Sequence, residues 1–96
     1  MFLAVGYRAS KDLEGAENTL MTSSLDYLII RPVGLGEEEK PKGEWFVQKE
    51  KHKDKLGFNM SKLDCARFAV TEVLNPTYHR RAVVVGNDPK TLEPTT

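Results

Sequence analysis

The stretch "LDYLIIRP", Leu25 to Pro32, decides how this chain is read. It is a continuous apolar run rich in residues that favour extended backbone, and it ends at a proline, which cannot donate to a sheet ladder. A strand without polar alternation is covered on both faces. That is the habit of a parallel strand inside an α/β protein.

Working outward, the residues before it form a helix pattern. Between Ser10 and Ser23 the apolar residues Leu13, Ala16, Leu20 and Met21 recur at steps of three and four. Two starts are open: Ser10 as N-cap, or an origin near Gly6 that carries Tyr7 in the first turn and sets it on one face with Lys11. On the other side of the strand, "VGLGEEEKPKG" concentrates glycine, proline and charge, so Val33 to Gly43 is read as a loop.

Further on, Trp45 and Val47 alternate with Phe46 and Gln48, and Leu56, Phe58 and Met60 repeat every second residue around the charged run "KEKHKDK". The expectation is a β-hairpin with a solvated tip. "SKLDCARFAVTEVLNP" predicts a helix: Ser61 is the N-cap with Asp64 three residues on, and Leu63, Ala66, Val70, Val73 and Leu74 give the apolar period before Asn75-Pro76 stops it. "RAVVVGND", Arg81 to Asp88, is a last strand, and residues 89–96 are expected to be a loose tail. The order is helix, strand, hairpin, helix, strand in one domain over residues 1–96, with a small parallel sheet.

Composition narrows the function classes. Fourteen basic residues balance fourteen acidic ones, so no overall field draws the chain onto nucleic acid or an anionic bilayer. The run "MFLAV" is shorter than a signal-peptide core, and no stretch approaches the roughly 20 apolar residues of a membrane span, so a cytoplasmic protein is expected. The single cysteine, Cys65, cannot form an internal disulfide and reads as a small apolar filler on a helix flank. His52 and His79 have no second ligand at metal spacing, so no metal is expected.

Taken together, "YRASK", "AENTL", "SSLDYLIIRPVGL", "NMSKLDCARFAVTEVLNP" and "HRRAVVV" resemble the C-terminal part of the short-chain dehydrogenase/reductase superfamily. The likeness is to its atypical branch of NAD(P)-binding proteins, which includes the NmrA-like and biliverdin-reductase-like proteins and is related to the epimerases. It runs from Tyr7 to about Asp88. The resemblance implies a truncated Rossmann-like α/β fold. It also implies that Tyr7 exchanges a proton with the substrate oxygen, while Lys11 lowers the tyrosine's pKa and holds the nicotinamide ribose. A phenol with a pKa of about 10 is a poor acid or base at neutral pH without a neighbouring cation, which gives that spacing its chemical sense. Pro32 and Val33 match the segment that passes the nicotinamide.

One part of the family's site has no counterpart in the sequence. Such proteins hold the pyrophosphate in a glycine-rich turn between a first strand and helix. Here the candidate "GLGEEE" has Gly34 and Gly36 but Glu39 in the third glycine's place, and its three glutamates would repel a diphosphate. The leading expectation is therefore a vestigial, non-catalytic protein that binds no cofactor alone. Truncation is expected to leave the strand Leu25 to Arg31 with an unpaired edge and to bare an adjoining helix surface, which a homodimer would cover. The alternative is an NAD(P)-dependent reductase completed across a dimer interface or by a partner chain. A third reading is an unstable relic. Arg31, closing a buried strand, is expected to pair with a carboxylate.

Overall fold

The stretch that anchors the sequence reading sits inside the sheet. The computed structural model describes residues 2–5, 11–35 and 43–94, with the backbone alone for 11–14. Strand β2, Tyr27–Pro32, lies between β1, Phe2–Val5, and β4, Arg81–Gly86, and both pairings are parallel. Strand β3, Phe46–Lys49, adds to the far side of β4 in antiparallel sense, giving the order β1-β2-β4-β3. Helix α1, Lys11–Thr22, joins β1 to β2, and helix α2, Lys62–Leu74, precedes β4. This is the expected small α/β sheet of Rossmann-like character, mixed but mostly parallel.

Register sorts the side chains onto two faces. Leu28 and Ile30 of β2 share a face with Val83 and Val85 of β4, and there they meet Met60, Cys65 and Phe68 in the main core. Each fully buried aliphatic side chain of this kind contributes roughly 1.5–3 kcal/mol. Tyr27, Ile29 and Arg31 point to the opposite face, where α1 reaches the sheet through Glu17. The two helices thus cover opposite sides.

Ser61 caps α2 as expected: its Oγ accepts from the Asp64 N–H at 3.3 Å. The helix ends where Glu72, itself buried, accepts from the Thr77 N–H at 2.8 Å. What α2 buries is different from its apolar period. Asp64, Cys65, Phe68 and Glu72 face the protein, while Leu63, Val70, Val73 and Leu74 are exposed. Hydrogen bonds make this possible, since the two inward carboxylates both find donors.

Four expectations are corrected. The strand Leu25 to Arg31 has no unpaired edge, because "FLAV" forms β1 and pairs Phe2 through Val5 with Tyr27 through Ile30. The hairpin does not form: Phe46 to Lys49 pairs with β4, and Glu50–Lys55 winds into a 3-10 segment. After it, Leu56 bridges to Pro89, and Met60 bridges in parallel to Leu35. Nor is the chain after residue 89 loose through Glu93. Lys90 and Thr91 donate to the Lys55 carbonyl at 2.8 and 3.2 Å, and Glu93 and Gln48 exchange two hydrogen bonds. Among the described side chains of α1, finally, Glu17 is the buried one, whereas Ala16 and Met21 of the apolar stripe are exposed. Among the described residues no helix is long and apolar enough to cross a membrane.

Candidate functional site

Parallel strands place ligand sites at their carboxyl ends, and β2 ends in Arg31 and Pro32. There the structure has a cavity of about 440 Å³, of small-molecule size. Its floor is Arg31 and Val84, neighbours in register on the α1 face of the sheet. Pro32 and Val33 continue the floor to the rim, and the 3-10 segment supplies Glu50, Lys53 and Asp54 as the wall. Phe58, 85% exposed, stands at the cavity with the Lys90 ammonium 5.6 Å from its ring centre.

Charge decides what such a cavity can take. Arg31 spans two carboxylates: its Nη2 donates to Glu17 Oε2 at 2.5 Å and its Nη1 to Glu50 Oε2 at 3.4 Å. This bears out the expectation of a carboxylate partner. The guanidinium is already neutralised, and Asp54 adds a further negative charge against Lys53. An anionic group such as a diphosphate would have to compete with the Glu17 carboxylate for Arg31.

The residues marked by sequence share one edge only in part. Pro32 and Val33 line the cavity. Lys11 is the first residue of α1, which follows the carboxyl end of β1, so its backbone stands at the same edge of the sheet. Tyr7 lies outside the described residues, as does Gly36. Gly34 has a structural reason of its own: a Cβ there would lie 2.8 Å from the Phe58 carbonyl oxygen, and its own carbonyl accepts from the Met60 N–H at 2.8 Å.

Sequence reading missed Glu17 as the partner of Arg31, and Glu50, Lys53 and Asp54 as lining groups. The last three sit in "KEKHKDK", read as a solvent-facing tip; the three- and four-residue spacing of Glu50 with Lys53 and Asp54 was the available sign that they share a helical face. It also missed a buried polar knot behind the sheet end. Asn87 Oδ1 accepts from the Ser61 N–H at 2.6 Å, and its Nδ2 donates to the Glu44 carbonyl at 2.6 Å and to Asp64 Oδ2 at 3.1 Å. That knot holds the end of β4, the start of α2 and the approach to β3 together.

The remaining candidates are structural. Cys65 is buried, and desolvation pushes its thiol pKa up, which leaves it a poor nucleophile. His79 Nδ1 lies 3.1 Å from both oxygens of Asp26. Among the described residues no three His, Cys, Asp or Glu side chains gather as a metal site.

No curated protein matches the chain significantly. A family model described as NAD(P)H-binding matches residues 3–76, which run from β1 to just past the end of α2.

Proposed function

The chain belongs to the NAD(P)H-binding family, and from that premise we propose that it is a self-associating α/β protein derived from an atypical short-chain dehydrogenase/reductase, without hydride-transfer activity of its own. These 96 residues then correspond to the nicotinamide end of the ancestral fold. One observation carries the reading: the guanidinium on the cavity floor, Arg31, is held between Glu17 and Glu50. The sequence holds no glycine-rich strand-helix turn of the kind that cradles a diphosphate. Tyr7 and Lys11 are on this view inherited residues without a coenzyme to act on.

A second reading is favoured by the cavity at the carboxyl end of β2, whose Pro32 and Val33 are the residues that would pass a nicotinamide. In that case another chain, or a second copy, supplies the diphosphate cradle and Tyr7 retains its proton-transfer role.

Fluorescence titration of NADH and NADPH with the purified chain separates the two. Unchanged emission up to about 1 mM cofactor, a weak-binding limit of roughly 4 kcal/mol, supports the non-catalytic reading. Saturable binding abolished by Lys11→Ala would replace it with the second.

A further inference from the structure

Helix α2 turns one side to the sheet and leaves a second, apolar side facing out. Inward lie Asp64, Cys65, Phe68 and Glu72; outward lie Leu63, Ala66, Val70 and Val73, at the 3-4-3 spacing of a helix-pairing seam, followed by Leu74. Leu63, Val70, Val73 and Leu74 are 42%, 57%, 54% and 79% exposed. A helix with apolar residues on both sides is normally covered on both.

The relief of this face suits a copy of itself. Ala66 is a small residue flanked by two grooves of about 290 and 410 Å³, one shared with Val5 and Leu35, the other with Leu63 and Val70. Ridges and grooves therefore occur on the same patch, the condition for an isologous two-fold contact. Charge agrees. The carboxylates of α2, Asp64 and Glu72, are turned inward, and its last turn contains no basic residue to meet the helix C-terminus. Lys62 stands at the other end. In an antiparallel pair each Lys62 comes beside the partner copy's uncompensated carbonyl end, where a cation is stabilising.

We infer that the outward face of α2 packs antiparallel against the same face of a second copy of this chain, with Ala66 across from the partner's Val70. The inference rests on the self-associating reading above and gives it a surface, one different from the strand edge that the structure found paired.

Sedimentation equilibrium of the 96-residue chain tests it, with far-UV circular dichroism to follow folding. The wild type sediments as a dimer, and Val70→Lys raises the dissociation constant by about 100-fold, because it puts a charge at the centre of the seam. Leu74→Lys, at the most exposed position and opposite Lys62 of the other copy, weakens the dimer without burdening the fold and serves if the first variant unfolds. Lys62→Glu weakens it about fivefold at low salt and less at high salt. A dimer indifferent to both lysine variants overturns this surface while leaving self-association intact. A dimer indifferent to Lys62→Glu overturns the antiparallel arrangement. A wild type that stays monomeric up to about 100 µM, well above the range of specific interfaces, overturns both self-association and this face, which would then await a different protein.

Discussion

Arg31 and Glu17 join helix α1 to the sheet: the Arg31 Nη2 donates to Glu17 Oε2, and the two side chains are 30% and 10% exposed. Glu17 is the buried side chain among those described on α1, so this charge pair is a contact by which the helix meets the sheet. The same guanidinium reaches Glu50 on the 3-10 segment, so one side chain ties α1 to the wall of the cavity.

Arg31→Ala is expected to destabilise the fold by roughly 2 kcal/mol, because it leaves the Glu17 carboxylate largely buried and unpaired while the partial exposure of Arg31 moderates the loss. Glu50→Ala, whose partner distance is 3.4 Å and whose side chain is 48% exposed, is expected to cost under about 0.5 kcal/mol. Urea denaturation of Arg31→Ala, Glu17→Ala, Glu50→Ala and the double variant Arg31→Ala with Glu17→Ala ranks the losses and reads the Arg31–Glu17 coupling. Equal losses from Arg31→Ala and Glu50→Ala would contradict this ranking.

The polar knot at the start of α2 predicts a larger effect. Asn87→Ala removes the acceptor for the Ser61 N–H and the donor to Asp64 and Glu44, and should destabilise by about 3 kcal/mol. Ser61→Ala removes the cap, with an expected loss of about 1 kcal/mol. Thermal melting of both variants checks the order.

Where sequence and structure agree, a local rule was sufficient. The run ending at Pro32 had no polar alternation, so burial on both faces followed, and Ser61 before an apolar period announced a helix start. Where they part, the deciding contact lies far along the chain. Four residues, Phe2 to Val5, are too few to declare a strand until Tyr27 to Ile30 pairs with them. Likewise "KEKHKDK" carries no sign that Lys55 will receive two hydrogen bonds from residues 90 and 91 and bend away from a hairpin. The orientation of α2 was illegible because its period marks an apolar face, while the inward choice was made by Phe68 and by donors that satisfy Asp64 and Glu72. For the site, Pro32 and Val33 were readable by resemblance, whereas its charge balance depends on Glu17 and Glu50, separated from Arg31 by 14 and 19 residues.

Gly34 tests whether the glycines after β2 serve packing. The Cβ of an alanine would meet the Phe58 carbonyl oxygen at 2.8 Å, a backbone atom that cannot swing aside. Gly34→Ala is therefore expected to destabilise by roughly 1–3 kcal/mol and to loosen the Met60 N–H that donates to residue 34. Gly15→Ala, in α1 with open space around it, should instead be neutral or stabilise by up to about 1 kcal/mol. The denaturation midpoint of Gly34→Ala should fall while that of Gly15→Ala holds or rises, and a comparable fall in both would refute the contact argument.

Cys65 ties burial to pH. Desolvation raises its pKa in the fold above the ordinary 9.0, so the folded state favours the neutral thiol. Below the unfolded pKa both states are protonated and this contribution is fully present. As pH rises past 9.0, the unfolded chain ionises first and stability falls, until the folded pKa is passed. Cys65→Ala should flatten that alkaline decline. Its own base stability should drop by no more than about 1 kcal/mol, since the replacement removes a single buried sulfur atom. The same geometry predicts that a thiol reagent labels the folded wild type slowly at neutral pH and the denatured chain rapidly. Fast labelling without denaturant, or an alkaline decline of equal slope in Cys65→Ala, would show that this thiol is neither desolvated nor coupled to the fold.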